Sequence, residues 1–337
     1  MDPIDPTWTR RLLLGAALTG LALANASAWA QSTYPNRTLT VISPFSAGGD
    51  ADLAARNFAA AAQRALGQAV VVVNKTGASG VIGSAQVVAA APDGYTLLLA
   101  RTGSQAIMPA VQPTATKYKW DDYTFIGMLE LNPYGCMVNA KSPYKTFDDL
   151  VKAIGSKGKS LNFGTAGVLT TNDMGPRELF RLLKLTDQAP TQIPYKGTGE
   201  ATQSLLAGET DFSCGSMGSF LSHIKAGTLR ALMVTTAERM ATLPEVPTAR
   251  ELGFAGMERI VGWSAVLGPP RLPADVREKL AATLKTIAAD PAWLAGTALT
   301  GSLPYVKSAD ETREYMQGQY QLYRTLGEQL GIIDGKM

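Results

Sequence analysis

Residues 39–50 read LTVISPFSAGGD, an apolar run typical of a β-strand followed directly by a glycine-rich loop. Helix-like sequence begins at Asp50, and two more apolar runs, 70–74 and 96–100, follow with another helical stretch between them. Short strands that alternate with longer helices are typical of βαβ units around a parallel sheet. This stretch therefore predicts an α/β fold.

The same alternation returns in a second series of strands and helices that ends at residue 235. Proline-rich turns, one more apolar run and two amphipathic helices follow, and we expect them to return to the first series. At 337 residues the chain is longer than most single compact domains. We predict two lobes, each a mostly parallel sheet flanked by helices, with a hinge at crossings near residues 130 and 235. The first lobe would comprise residues 31–130 and 236–337, and the second residues 131–235.

The first thirty residues have the composition of an export signal. Arg10 and Arg11 precede an apolar run, and Ala28-Trp29-Ala30 places small residues where a signal peptidase cleaves. We therefore predict a signal peptide over residues 1–30. The paired arginines leave both the general secretory route and the twin-arginine route open.

The charge and the cysteine content of the chain further restrict its possible functions. The 31 Lys and Arg and 28 Asp and Glu give a net charge of +3 and are scattered along the chain, which argues against nucleic acid as a partner. Cys136 and Cys214 are the two cysteines. An oxidising compartment would permit a bridge, but their apolar surroundings favour two buried free thiols, and the sequence leaves both alternatives open.

The loop after the first strand is suited to binding an anion. Gly48 and Gly49 let the backbone turn closely, so that N–H groups of Ser46 and Ala47 onward point outward at the positive start of a helix. Ligands of open α/β sheets bind at the carboxyl ends of strands, where this loop would lie. We expect Asp50 to be the N-cap of the helix.

A second loop of the same kind follows the strand predicted at 161–164. Thr165, Ala166 and Gly167 bring small residues and hydroxyl groups between a strand and a helix that begins near residue 172. Each loop alone is a weak signal, because glycine and serine at strand ends are usually turns. Two such loops, one from each lobe, could enclose one carboxylate from both sides.

Signals for catalysis are weak. His223 is the one histidine, and the sequence has neither a nucleophile elbow nor metal-ligand spacing. We therefore predict no catalytic residue, no metal and no cofactor. The alternative is a periplasmic enzyme with the two-lobed fold predicted above. Such an enzyme would need a general base, and the candidates are Asp50, Asp173 and His223.

Several motifs carry a resemblance to a known family. They are PF at 44–45, GG at 48–49, APDGYT at 91–96, PYKG at 194–197 and LPEVPT at 243–248. With them, the mature chain resembles the Bug family of periplasmic solute-binding proteins, the receptors of tripartite tricarboxylate transporters. The resemblance implies a monomeric Venus-flytrap protein that closes on an organic acid and delivers it to membrane transporter subunits. A receptor subunit for a signalling system is the alternative.

The resemblance also implies which residues bind the ligand. One carboxylate would be held by Ser46, Ala47, Gly48, Gly49 and Asp50 in the first lobe, and by Thr165, Ala166 and Gly167 in the second. Asn132 and Met217 are further candidates near the hinge.

The sequence departs from the family at two places that bear on the distal part of the ligand. Arg101-Thr102 stands where relatives have small hydroxyl residues, and Gly215-Ser216 stands where they commonly have Asp-Asn. Arginine suits bidentate capture of a carboxylate, and loss of the acid removes charge and bulk. Both changes favour a dicarboxylate, with an aromatic diacid such as terephthalate as the leading candidate and a C4–C6 aliphatic diacid as the alternative. Arg101 could instead pair with a surface carboxylate such as Asp121 or Asp122.

Overall fold

The computed structural model describes residues 34–334, so the predicted signal peptide lies outside the described residues. The elements below belong to one compact unit that begins at Arg37. Within residues 34–334, no helix combines the length and apolarity that crossing a membrane requires.

The chain first builds β1 (Leu39–Ser43), α1 (Asp50–Leu66), β2 (Val70–Asn74), α2 (Val81–Val88), β3 (Thr96–Arg101), α3 (Met108–Val111) and β4 (Thr124–Asn132). It then forms β5 (Tyr134–Asn139), α4 (Phe147–Lys157), β6 (Asn162–Thr165), α5 (Thr171–Leu182), β7 (Thr191–Pro194), α6 (Thr198–Ala207), β8 (Phe212–Ser216), α7 (Leu221–Lys225) and β9 (Leu229–Val234). The last elements are β10 (Gly262–Gly268), α8 (Ala274–Ala288), α9 (Pro291–Leu299), β11 (Leu303–Lys307) and α10 (Ala309–Gln329).

These strands form two sheets, and we call each sheet with its helices a lobe. The first has the order β11-β4-β10-β3-β1-β2, and the second the order β7-β6-β8-β5-β9. Pairing is parallel within β3-β1-β2 and within β7-β6-β8, as the βαβ pattern predicts. It is antiparallel at β10, β4, β11 and at β5 with its neighbours. The sheets are therefore mixed rather than mostly parallel.

The helix after the glycine-rich loop begins at Asp50, as predicted, but its cap differs. Gly49 is the N-cap residue and no side chain caps the helix, so the expectation that Asp50 is the N-cap is wrong. Asp50 and Asp52 place negative charge in the first turn, which the helix dipole favours. Gly67 ends the helix in a left-handed conformation with a φ of 67°. Its alanine-rich inner face and Phe58, 2% exposed, pack into the first lobe.

One strand of the first sheet is not predicted by the sequence pattern. The sequence has no strand pattern around Pro304, but β11 pairs with β4 at the edge of the first sheet. Proline is tolerated there because an edge strand leaves one row of N–H groups unpaired, and the register shifts after Pro304.

The segment between β9 and β10 lies on the second lobe rather than on the first, where we expected residues 236–261. Val234 donates its backbone N–H to Pro247 at 3.0 Å and accepts one from Ala249 at 2.7 Å. Leu243 and Val246 pack into the apolar cluster of the second lobe. The second crossing between the lobes therefore lies near Ile260 rather than near residue 235.

Cys136 and Cys214 are joined by a disulfide. They lie directly opposite each other on the antiparallel pair β5 and β8, with a Cα–Cα distance of 4.0 Å. The preference for two free thiols is therefore wrong. The sequence places the cysteines 78 residues apart and could not show that their strands are neighbours.

Candidate functional site

The carboxyl ends of strands from both sheets meet at one small cavity between the lobes. Its volume is about 20 Å³, of the order of one water molecule. The first lobe contributes Phe45, Asp50, Arg101, Thr102 and Gly103. The second lobe contributes Ala166, Thr170, Thr171, Asn172 and Thr198.

The first glycine-rich loop lies against the start of α6 in the other lobe. Ser46 donates its backbone N–H to the carbonyl of Lys196 at 3.2 Å. A Cβ atom on Gly197 would lie 2.8 Å from the Ser46 nitrogen, and one on Gly199 would lie 2.7 Å from the Ala47 carbonyl oxygen. Only glycine permits this approach of two backbones. Ser46, Ala47, Gly48 and Gly49 therefore lie beside the cavity, where the two lobes touch.

Both loops are fixed by the same interaction, in which an aspartate in the first turn of the following helix accepts a hydrogen bond from the loop backbone. In the first lobe Asp52 accepts the backbone N–H of Gly48 at 3.0 Å and pairs with Arg56 at 2.9 Å. Asn74 also donates to Asp52 and to the Phe45 carbonyl, each at 3.0 Å. The loop is thus fixed before any ligand contacts it.

In the second lobe Asp173 accepts the backbone N–H of Leu169 at 2.8 Å and pairs with Arg177 at 2.6 Å. Each aspartate therefore binds the N–H four residues before it and an arginine four residues after it. Burial raises the pKa of Asp173, and Arg177 opposes that rise. Asp173, one of the candidate general bases, serves to shape the loop.

Asp50 and Arg101 form a buried ion pair at the cavity wall. Their side chains are 9% and 7% exposed, and Arg101 Nη2 donates to Asp50 Oδ2. Asp50 Oδ1 accepts a hydrogen bond from Thr198 in the other lobe. Asp121 pairs with Arg313 instead, and Asp122 accepts the backbone N–H of Lys119. The alternative that Arg101 pairs with either surface carboxylate is therefore wrong.

The guanidinium group of Arg101 also donates hydrogen bonds to side chains of its own lobe. Its Nη1 donates to Asn132 Oδ1 at 2.7 Å and to Ser264 Oγ at 2.5 Å. Asn132 and Ser264 in turn donate to Glu130 Oε1 at 2.9 and 3.0 Å. Burial raises the pKa of Glu130, against these hydrogen bonds and the charge of Arg101. Asn132 thus lies behind Arg101 and orients it.

The space next to Gly215 is filled. A Cβ atom on Gly215 would overlap Nδ2 of Asn172 and lie 2.9 Å from its Cγ. The expectation that Gly215 adds room for the ligand is therefore wrong, because Asn172 takes that volume. Ser216 is buried with its Oγ unpartnered among the described residues, and it faces Gly262 of the first lobe.

The remaining predicted residues lie at different distances from the cavity. Ala166 and Thr102 line it, whereas Thr165 is buried and accepts a hydrogen bond from Gln192 at 3.0 Å. Met217 packs in the apolar cluster of the second lobe. His223 lies in α7, outside the cavity lining.

A further, exposed contact joins the lobes close in sequence to the cavity residue Ala166. Ser79 donates its hydroxyl to the carbonyl of Val168 at 2.5 Å, and Gly167 lies beside it. Ala78, Ser79 and Leu169 have φ values of 47°, 55° and 55°, in the left-handed region that favours glycine. Strained backbone is thus present on both sides of this contact.

Sequence reasoning missed six cavity residues, which are Thr170, Thr171, Asn172, Thr198, Phe45 and Gly103. A signal for the first three was present, because an aspartate followed by an arginine four residues later comes after both loops. Thr198 follows a glycine at a helix start, which is too common to indicate a site. No cluster of histidine, cysteine and acidic side chains suited to a metal occurs within residues 34–334.

Comparison with known proteins identifies the family. Residues 54–332 match the model of the tripartite tricarboxylate transporter family receptor. The chain is 31% identical over 325 residues to protein BugT of Bordetella pertussis. This match covers 94% of the present chain and 97% of BugT.

Two solved structures are also similar. MatC from Rhodopseudomonas palustris with bound malate has a TM-score of 0.80 at 28% identity and covers 87% of this chain and 100% of its own. An R. palustris protein with adipate has a TM-score of 0.83 at 25% identity. The match covers 89% of this chain and 99% of that protein's chain. With the two-lobed α/β fold and the paired loops, these matches show that the chain belongs to the Bug family of tripartite tricarboxylate transporter receptors.

Proposed function

We propose that the protein is a periplasmic receptor that binds an organic acid between its lobes and delivers it to membrane subunits of a tripartite tricarboxylate-type transporter. The convergence of two aspartate-locked loops on one cavity carries this proposal. α1 and α5 both begin there, and helix starts favour anions. Ser46 to Asp50 and Thr165 to Gly167 would hold one carboxylate.

The favoured ligand is a dicarboxylate. Arg101 lies at the cavity wall and is the group there that suits a second carboxylate. Two similar proteins have malate and adipate bound, and both compounds are diacids. Because Asn172 fills the space at Gly215, Arg101 is the residue that favours a long diacid. Terephthalate is the leading candidate, and C4–C6 aliphatic diacids are the alternative.

Binding requires the lobes to separate and close again. A cavity of about 20 Å³ is far below the roughly 300 Å³ at the lower end for ligand pockets. The two crossings between the lobes, at Pro133 and near Ile260, are the positions where backbone rotation would open the cleft. The ligand would then stabilise the closed form by bridging both loops.

Matched acids test the binding proposal. Calorimetry and thermal shift would compare adipate with hexanoate and terephthalate with benzoate, so that each pair differs in one carboxylate. We expect the diacid of at least one pair to bind and to raise Tm more than its monoacid. If no acid binds, the proposal fails, and turnover of a bound acid would favour the enzyme instead.

The partner is tested separately. The tagged, ligand-loaded protein should retain transporter subunits from detergent-solubilised membranes of its native cell, and size-exclusion chromatography should show a monomer. Retention of a membrane sensor in place of transporter subunits would favour the signalling receptor.

A further inference from the structure

Asn172 occupies an unusual position in the second lobe. It lies in the first turn of α5, is 3% exposed and lines the same cavity as Arg101. Its Nδ2 atom is buried and has no hydrogen-bond partner among the described residues. Buried amide groups nearly always have a partner, so an unpaired one at a cavity wall indicates a role in binding.

Gly215 provides the seat for this side chain. A Cβ atom at this position would overlap the Asn172 amide. The φ angle of Gly215 is not positive, so the backbone conformation does not require glycine there. The need for glycine at position 215 is therefore steric and comes from Asn172.

We propose that Asn172, seated on Gly215, determines specificity for the distal group of the ligand and selects a second carboxylate over an ammonium group. Rotation about the last side-chain bond turns its N–H toward the cavity, where Arg101 supplies donors from the opposite lobe. An oxygen acceptor then satisfies both groups, whereas an ammonium group could meet only the Asn172 Oδ1 atom and would lie beside the positive charge of Arg101. This inference rests on the proposed function.

Three ligands of one length separate the possibilities, namely adipate, hexanoate and 6-aminohexanoate. Asn172→Ala should weaken adipate about 10-fold, as expected for loss of one hydrogen bond to a charged group, and hexanoate less than 2-fold. Asn172→Asp, which keeps the shape and adds a negative charge, should weaken adipate about 100-fold and improve 6-aminohexanoate relative to adipate. Gln188→Glu is the matched control, because it adds the same charge at an exposed position of the same lobe.

A double-mutant cycle tests whether Gly215 is needed to accommodate the Asn172 side chain. Gly215→Ala should push Asn172 into the cavity and weaken adipate, whereas Gly215→Ala combined with Asn172→Ala should bind adipate as Asn172→Ala does. Additive losses would overturn the coupling. Equal losses for adipate and hexanoate in Asn172→Ala would overturn the assignment while leaving acid binding intact. Binding of no acid by the unaltered protein would instead overturn the proposed function.

Discussion

Replacing Asp50 with asparagine separates two roles of its carboxylate. Asp50 neutralises Arg101 and accepts a hydrogen bond from Thr198 across the cleft. A second ligand carboxylate that approaches Arg101 must therefore compete with Asp50. Asparagine keeps a hydrogen-bond acceptor of the same shape and removes the competing charge.

The magnitude follows from the burial of the pair. Unit charges about 4 Å apart attract by roughly 4 kcal/mol at an effective dielectric constant of about 20. If the ligand regains a third to a half of this, Asp50→Asn should tighten diacid binding by about 10- to 30-fold, since about 1.4 kcal/mol is tenfold. The free energy of unfolding should fall by about 3 kcal/mol, the lower end for a broken buried pair, because the amide still accepts a hydrogen bond.

Calorimetry with adipate and hexanoate, together with urea unfolding, measures both effects. Hexanoate affinity should change little, because its single carboxylate is bound by the loops. A loss of diacid affinity would refute the competition and would mean that Asp50 contacts the ligand favourably. Unchanged affinity for both acids would place Arg101 outside the ligand contacts.

Four other perturbations give distinct expectations. Arg101→Ala in the Asp50→Asn background avoids an unpaired buried carboxylate at position 50 and should cost about 1.5–3 kcal/mol of diacid affinity while sparing the monoacid, measured by calorimetry; equal losses would refute the role of Arg101. Cys136→Ala with Cys214→Ala should lower the free energy of unfolding by about 2–5 kcal/mol in urea melts yet leave adipate affinity nearly unchanged, and a comparable effect of reductant on the double variant would contradict this. Glu130 has a pKa raised above 4.5 by burial, so its contribution to stability is present below pH 4.5 and is lost as pH rises through the folded-state pKa. Glu130→Gln should therefore gain stability relative to the unaltered protein as pH rises from 4 to 8, and a constant difference would argue against it. Asp52→Asn and Asp173→Asn should each weaken every acid by about 10-fold through loss of a charged loop contact, whereas a loss confined to diacids would show that these residues do not act through the loops.

The sequence predicted the elements whose signals are local. The apolar run before Pro44, the glycines at 48 and 49, and the alternation of strands and helices all act within a few residues. They placed the two loops at strand ends, and both loops do meet at the cleft. The chain length and the return of the same alternation in a second series predicted two lobes, and the resemblance to a known family added their closure on an organic acid.

The parts that could not be predicted depend on distant contacts. Asp50 meets Arg101 because β1 and β3 are parallel neighbours, which brings the ends of both strands together. Asn172 fills the space at Gly215 because α5 packs on β8, and no periodicity in either segment indicates that pairing. Likewise, the polar, proline-rich segment before β10 shows no pattern that assigns it to either lobe. Its hydrogen bonds to β9 and the packing of Leu243 and Val246 in the second lobe do so.

The strained residues beside the contact of Ser79 with Val168 have a consequence for the kinetics of capture. Glycine at Ala78, Ser79 and Leu169 would relieve backbone strain of about 1–3 kcal/mol each, yet it would let both loops sample many shapes while the cleft is open. With side chains at these positions the loops have few shapes to choose from, so their meeting loses little conformational entropy. Association should then be limited by the encounter of acid and cleft, and the lifetime of the complex by the contacts that close it.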